Sequence, residues 1–309
     1  MGLIKWIIII VAILVVGVVI LGSLDNDNNP PSNNNGNEEE NKTPTPSGVN
    51  WEEVRAGDTA QVPSGWNTPK TVGVDSDLWE DGAYITGDGN TLYFALYSGD
   101  LINDVLKGEV NKALDVYQSN KPFTSKTKSS ISENVWAEGG VMISGSDTYY
   151  MSNKYTADGK YDTDIYKNGE RMSFSTSEDE DDPHYCAIKD ELYFWKADSG
   201  ENNIYVFTND EIKKLPPPIN SASNDIQPFL TPDCQTMYFT SNRGNKPATI
   251  YKSNRIGNDK WSEPEIIISS KTGVGEPTLT DDEKTLFFVQ ILRSDNGRFN
   301  ADVLYTEKL

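Results

Sequence analysis

Adjacent aromatic residues recur along the chain and mark a repeated strand. The pairs are Tyr93-Phe94, Tyr149-Tyr150, Tyr193-Phe194, Tyr238-Phe239 and Phe287-Phe288. Each is followed by a second anchor, a hydrophobic residue and then a tyrosine: Val116-Tyr117, Ile165-Tyr166, Ile204-Tyr205, Ile250-Tyr251 and Leu304-Tyr305. Because repeats of about 40 to 50 residues with several short strands are typical of propeller blades, the pattern predicts five blades.

A short apolar run and a polar turn precede each aromatic pair. In the fourth repeat, residues 228–231 form the run and residues 232–235 form the turn. Turns rich in Pro, Asp, Gly and Asn are typical of tight hairpins. Each repeat is therefore predicted to hold four antiparallel strands, A to D, with strand A innermost. The fold class is all-β, a five-bladed propeller of four-stranded blades.

The two ends of the repeated region are predicted to share one blade. The last repeat ends just after strand C, at Leu309, while Trp66 and Pro69 repeat the Trp-x-x-Pro spacing of Trp261 and Pro264. Residues 64–74 are therefore expected to supply the outer strand of the last blade, which removes an exposed sheet edge. The propeller domain is assigned to residues 51–309.

The N-terminal segment is apolar enough to be a membrane anchor. Residues 6–22 contain no polar side chain, and a helix over them and their flanks would span roughly 25–30 Å. Lys5 precedes the run, and Asp25 and Asp27 follow it, so the N-terminus is expected to be cytoplasmic and the domain extracytoplasmic. We assign residues 1–24 to a transmembrane signal-anchor helix, with a cleaved signal peptide as the alternative. Residues 25–50, rich in Asn, Glu and Pro, are expected to be a disordered linker.

Charge and composition exclude several functions. The net charge of −20 repels phosphate backbones, so nucleic acid is not expected as a partner. One histidine and two cysteines are too few for a typical zinc site. Cys186 and Cys234 lie in a predicted strand and in a hairpin turn of the next blade, and we expect two separate thiols rather than a disulfide.

The sequence of the fourth repeat resembles a known family. Residues 225–244, DIQPFLTPDCQTMYFTSNRG, resemble the WD40-like repeat of TolB-type propellers, and the continuation through Ile250-Tyr251 and Trp261 to Pro264 is similar. The resemblance covers residues 66–309 and is weaker in blades two and three, which lack the Pro-Asp-Gly turn. It implies a propeller that acts as a binding or scaffold module of the cell envelope, although a few relatives of similar fold are enzymes.

Polar residues at the start of strand A are the candidate ligand-binding residues. When the repeats are aligned on the aromatic pairs, one column is predicted to surround the mouth of the central channel, and Asp81 is one residue away from it. An acidic ring suits a cation such as Ca²⁺ or the hydroxyl groups of a sugar. The alternative is hydrogen bonding between blades. The column is Gly82, Glu138, Asp182, Gln227 and Glu276.

Three further residues are assigned to this mouth. His184 follows Asp182 on strand A, and Trp79 and Trp136 lie just before a strand A, where they suit sugar stacking or packing between blades. His184 has no serine or cysteine nucleophile nearby in the sequence, so no catalytic triad is predicted. The acidic run 178–182 lacks the spacing of a calcium loop and is expected to be a solvated loop.

These patterns favour a binding protein over an enzyme. We predict a noncatalytic, membrane-anchored, extracytoplasmic propeller that binds a protein, peptide or glycan, with no cofactor other than a possible Ca²⁺ and no other metal. The alternative is a glycoside hydrolase or lyase, which would need two carboxyl groups about 5–9.5 Å apart at the channel. No catalytic signature is present in the sequence.

Overall fold

The computed structural model describes residues 48–309, apart from residues 75, 108–113, 134–135, 155–161, 199 and 258–259. The predicted anchor, residues 1–24, and all but the end of the predicted linker lie outside this part of the chain. Within it, no helix is both long and apolar enough to cross a membrane.

The described chain is almost entirely strand. It begins with helix α1 (Trp51–Gly57) and strand β1 (Lys70–Thr71). Blade one contains β2 (Trp79–Ile85), β3 (Thr91–Tyr97), helix α2 (Leu101–Lys107), β4 (Asp115–Asn120) and β5 (Thr127–Lys128). Blade two contains β6 (Glu138–Ser144), β7 (Asp147–Ser152), β8 (Asp164–Lys167) and β9 (Glu170–Arg171).

The remaining strands complete three more blades. Blade three contains β10 (Glu180–Cys186), β11 (Glu191–Asp198), β12 (Glu201–Thr208) and β13 (Glu211–Lys214). Blade four contains β14 (Asp225–Leu230), β15 (Thr236–Ser241), a 3₁₀ turn (Arg243–Asn245), β16 (Thr249–Gly257), β17 (Lys260–Trp261) and β18 (Glu265–Ile268). Blade five contains β19 (Val274–Leu279), β20 (Thr285–Arg293) and β21 (Phe299–Glu307).

These strands form five antiparallel sheets, each following the chain from its first strand outward. The first strand of each blade also packs against its counterparts in neighbouring blades, for example β2 against both β6 and β19. The prediction of an all-β, five-bladed propeller with four-stranded blades is therefore confirmed.

The two sequence anchors meet across strands B and C of each blade. In blade four, Phe239 lies opposite Tyr251, and their ring centroids are 5.9 Å apart. Phe94 and Tyr117 in blade one, and Phe287 and Tyr305 in blade five, form the same cross-strand contact at 6.4 Å and 5.6 Å. The repeat is visible in the sequence because each blade needs one such aromatic pair to fill the same space.

The outer strand of blade five comes from the beginning of the domain. Lys70 pairs with Tyr305 and Thr71 with Leu304, so β1 completes a four-stranded sheet with β21, β20 and β19. Helix α1 adds a second attachment, because the Nε of Arg55 donates to Asp302 Oδ2 at 2.9 Å. Residues far apart in the sequence thus close the ring without leaving β21 as an exposed edge.

A disulfide joins blades three and four. Cys186 at the end of β10 is bonded to Cys234 in the hairpin turn between β14 and β15, and their Cα atoms are 6.0 Å apart. The expectation of two separate thiols was wrong. Adjacent blades bring the end of one strand A beside the next hairpin, a contact between residues 48 positions apart in the chain.

Candidate functional site

The innermost strand of every blade contains a β-bulge near its start. In blade one, Asp81 lies opposite Ala95 but Tyr84 lies opposite Tyr93, so one extra residue is inserted on the inner strand. The other four blades have the same irregularity. The inserted position is left-handed throughout, with φ between 50° and 60°. We call these five residues the axial ring: Gly82, Gly140, Asp182, Gln227 and Glu276.

The axial ring lines a small cavity on the propeller axis. The residues that follow it on strand A line the same cavity, among them Tyr84, His184 and Phe229. The space open to the centre of a water molecule is about 40 Å³, which is room for only a few waters. We call this space the axial cavity.

Carboxyl groups converge around the ring. Asp182 and Glu276 belong to the ring itself, and Asp81 and Asp181 immediately precede ring positions in blades one and three. The carboxyl groups of Asp81 and Glu276 are hydrogen-bonded to each other. Glu276 Oε1 also accepts from the Gln227 amide at 2.7 Å. Side chains from blades one, four and five are therefore directly linked at the axis.

Two buried tryptophans hold the carboxyl groups from behind. The indole Nε1 of Trp79 donates to Asp81 Oδ2 at 3.0 Å, and that of Trp195 donates to Asp182 Oδ2 at 2.7 Å. Both tryptophans are 1% exposed. Because an indole N–H is only a donor, it fixes one oxygen of each carboxyl group and leaves the other for further contacts.

All four carboxyl groups are harder to ionise than usual. Burial raises the pKa of Asp182 to about 7, and the nearby charge of Asp81 adds to this. Burial, followed by the charges of Asp81 and Asp182, raises the pKa of Glu276 well above its usual range. Burial is also the main cause of the raised pKa values of Asp81 and Asp181. Carboxyl groups this close to one another disfavour each other's ionisation.

Two glycines in blade two make room for this cluster. A Cβ atom on Gly140 would lie 3.0 Å from both Asp181 Oδ1 and Asp182 Oδ1. The neighbouring Gly139 faces the side chain of Met151, whose methyl carbon would be 3.2 Å from an added Cβ. The glycines therefore let the acidic residues of blade three approach the axis closely.

Glu138 does not belong to the axial ring. Gly140 takes the blade-two position, because the hairpin between β6 and β7 is two residues shorter than the corresponding hairpins and displaces an alignment made on the aromatic pair. Glu138 is fully buried, where it accepts from the backbone N–H of Glu133 at 3.2 Å. Burial raises its pKa to about 7.

The other predicted residues divide between the axis and the interior. His184 lines the axial cavity, and its Nε2 is 3.1 Å from the carbonyl oxygen of Leu230. Burial lowers the pKa of His184 to about 4, so the ring is neutral at physiological pH. Trp79 is buried behind Asp81 and offers no stacking surface, whereas Trp136 is partly exposed. Asp81 and Asp182 take part in the cluster described above.

The acidic run 178–182 is not a solvated loop. Glu180, Asp181 and Asp182 lie in β10; Asp179, Glu180 and Asp181 are buried, Asp182 is partly exposed, and Glu178 is exposed. Within the described ranges, no group of three or more His, Cys, Asp or Glu side chains is arranged to hold a metal ion.

The dimensions of the cavity determine what it can accommodate. A space of about 40 Å³ is far smaller than the 300 Å³ or more that is usual for small-molecule sites, so a sugar ring does not fit. A glycosidase also needs its two carboxyl groups separated by substrate or water, whereas Asp81 and Glu276 are in direct contact. The geometry suits a single small polar or charged group inserted along the axis.

The chain is similar to several solved structures at low sequence identity. The chain is similar to a putative TolB from Agrobacterium tumefaciens, with 12% identity over 82% of this chain and 98% of that one, and a TM-score of 0.47. TolB from Acinetobacter baumannii is 15% identical over 71% of this chain and 67% of that one, with a TM-score of 0.41. A structure described as a glycoside hydrolase is 6% identical over 82% and 94% of the two chains, with a TM-score of 0.49.

At these identities, the likeness concerns the fold alone. The count of five blades rests on the sheets of this chain itself. No protein-family model matches the chain. No curated protein matches it either.

Proposed function

We propose that this protein is a noncatalytic binding module that captures a protein or peptide partner at the axial cavity. The observation that carries the proposal is the size of this cavity, which accommodates one small group but not a sugar ring. A protein partner can insert a single side chain there and make its other contacts with the surrounding face of the propeller. An enzyme acting on glycans would need a larger opening.

Backbone conformation gives further support to a binding role. Asp182, Gln227 and Glu276 have φ values of 50°, 56° and 57°, a region in which a residue other than glycine is strained by about 1–3 kcal/mol. Glycine occupies the same position in blades one and two without this strain. Retaining polar side chains at three strained positions is expected where the side chains serve a function.

We also propose that the domain lies on the extracytoplasmic side of a membrane. The charge pattern around the apolar segment, with Lys5 before it and Asp25 after it, supports this orientation. The disulfide between Cys186 and Cys234 supports the same location, because disulfides persist mainly in oxidising compartments.

A capture experiment with matched variants tests the binding function. Full-length protein, immobilised in nonionic detergent, is exposed to envelope proteins of its source cells, and retained proteins are identified by mass spectrometry. The test variant is Asp182→Asn with Glu276→Gln, which preserves shape at the axial cavity. The control is Glu201→Gln with Asp295→Asn, an equal change in charge at two exposed residues.

A partner of the axial cavity should be retained by the wild type and by the control, and lost from the test variant. Thermal melts of all three proteins establish that they are folded. Equal retention by the folded test variant and the wild type would show that the axial cavity is not the binding site.

A further inference from the structure

The axial cavity combines negative charge with aromatic walls. Asp182 and Glu276 contribute carboxyl groups, and the rings of Tyr84, His184 and Phe229 line the same space. An anion would be repelled by the carboxyl groups, and an apolar group would leave their oxygens without partners. A cation meets both requirements, because carboxylates and aromatic faces each attract positive charge.

Asp182 lines the axial cavity, and Asp181 lies beside it without lining it; each has one carboxyl oxygen without a hydrogen-bond partner among the described residues. Asp181 is completely buried, and its Oδ2 has no hydrogen-bond partner in the part of the chain that the structure describes. Asp182 Oδ1 likewise accepts no hydrogen bond from the described residues, since Trp195 donates to Oδ2. The Oδ1 atoms of Asp181 and Asp182 face the gap left by Gly140. A buried acceptor without a partner is costly unless a donor reaches it.

The size of the cavity and the arrangement of its acceptors define the kind of cation. A space of about 40 Å³ suits a compact charged group better than the larger, planar guanidinium. Among the described residues, no three acidic, His or Cys side chains are placed to coordinate a metal. An ammonium group carries three donors in a compact head and requires only two or three acceptors.

We infer that the axial cavity binds a primary ammonium group, presented by a lysine side chain of the protein partner. Gly140 and Asp182 are both partly exposed, so the free acceptor of Asp182 is reachable from solvent. The net charge of −20 attracts basic partners and steers them toward the protein. The inserted ammonium donates to Asp182 Oδ1 beside Glu276, and the rings of Tyr84 and Phe229 line the space around it.

The two tryptophans behind the carboxyl groups provide a direct readout. Trp195 and Trp79 donate their indole N–H groups to Asp182 and Asp81, so a cation at these carboxyl groups changes the two indole signals. Trp261 is the internal control, because it is buried in the outer part of blade four and stacks on Arg255 at 4.7 Å. Indole ¹⁵N labelling of the full-length protein in nonionic detergent resolves these signals, and single Trp→Phe variants assign them.

The probes are methylammonium chloride and N-acetyl-lysine methylamide, titrated at pH 8 and constant ionic strength. Both should shift the Trp195 signal saturably and leave Trp261 unchanged. For methylammonium, which has two heavy atoms, the dissociation constant should be on the order of 1–10 mM. In the Asp182→Asn, Glu276→Gln variant, binding should weaken by roughly tenfold or more, because charge-assisted hydrogen bonds are lost.

Further probes separate the sources of the cation. N-acetyl-norleucine methylamide, which lacks the ammonium, should cause no saturable shift. Binding of both ammonium probes supports a lysine side chain as the ligand, and binding of methylammonium alone overturns that source in favour of a free small amine. An equal response to NaCl or CaCl₂ overturns the ammonium assignment, as does unchanged affinity in the double variant.

This inference rests on the proposed function, since both use the axial cavity, yet the two experiments fail independently. One outcome is a partner that the wild type captures and the double variant loses, while neither ammonium probe gives a response. That outcome would preserve the binding function and overturn the ammonium ligand. A response to ammonium without any captured protein would preserve the ammonium site and overturn the proposal that a protein partner binds there.

Discussion

Two sets of acidic residues lie within one or two positions of each other along the inner strands, yet their surroundings differ. The outer set precedes the axial ring by two residues in blades one to four, and the inner set lies in or next to the ring. The outer set is Glu80, Glu138, Glu180 and Asp225, and the inner set is Asp81, Asp181, Asp182 and Glu276.

Members of the outer set accept hydrogen bonds from the loop that precedes their strand. Asp225 accepts from the backbone N–H of Ser221 at 2.6 Å, and Glu180 accepts from that of Thr176 at 3.0 Å. A basic residue completes each contact, since Arg243 lies 2.6 Å from Asp225 and Lys196 lies 2.6 Å from Glu180. These carboxyl groups join a loop to a blade, which is a structural task.

Members of the inner set face one another instead of cations. The inner set has no salt bridge among the described residues, and its members raise one another's pKa values. Asp225 and Glu180 in the outer set are thus paired with cations of the protein itself, whereas carboxyl groups of the inner set adjoin one another. The comparison indicates that neutralising each set should have opposite effects on stability.

The largest expected difference is between Asp225→Asn and Asp182→Asn. Asp225 is fully buried and pairs with Arg243, which is itself stacked on Phe239 and Tyr251. Removing its charge should lower the free energy of unfolding by about 3–5 kcal/mol, because Arg243 loses its counter-ion. Asp182→Asn removes repulsion and should cost less than about 1 kcal/mol or stabilise the protein. Urea unfolding at pH 8 measures both, and equal losses would remove the distinction between the two sets.

A smaller effect is expected from Gly140→Ala, with Gly145→Ala as its matched control. Both glycines are in blade two with similar φ values, 53° and 61°, so both substitutions carry the left-handed penalty of about 1–2 kcal/mol. Only Gly140 has neighbours within 4 Å, and these include Asp181 and Asp182. Gly140→Ala should therefore be less stable than Gly145→Ala by roughly 1 kcal/mol. If calorimetry gives the same melting temperature for both, the close packing at Gly140 is unimportant.

A further effect is expected in the pH dependence of stability. The folded pKa of Asp182 is about 7, above the value near 3.8 of an exposed aspartate, so the unfolded chain releases this proton at lower pH. The stabilisation from the protonated carboxyl is complete below about pH 4 and is lost as pH rises to about 7. Glu276, Asp81 and Asp181 act in the same direction because their pKa values are also raised.

The Asp182→Asn, Glu276→Gln variant isolates this contribution. Its unfolding free energy, measured in urea between pH 4.5 and 8, should fall less with rising pH than that of the wild type. His184 has a lowered pKa and favours the opposite trend below about pH 6.5, but it does so in both proteins. Parallel curves for the two proteins would contradict the raised pKa values at the axis.

The sequence by itself determined the number of blades and their order of strands. The anchors Phe239 and Tyr251 were recognisable because each blade repeats the same cross-strand contact with a similar spacing. Trp66 and Pro69 indicated where a missing outer strand would come from, and the structure pairs β1 with β21. Such features depend on local strand pairing and turn chemistry, which a repeated pattern preserves.

Only the tertiary structure decided the composition of the site and the contacts between blades. The ring position of Gly140 depends on the length of one hairpin, which an alignment on the aromatic pairs does not take into account. Asp181 was missed because a bulge places two successive residues near the axis, contrary to simple alternation. The Cys186–Cys234 bond, like the contact of Asp81 with Glu276, joins residues from different blades. Their proximity follows from ring closure, which no local pattern of hydrophobic and polar residues encodes.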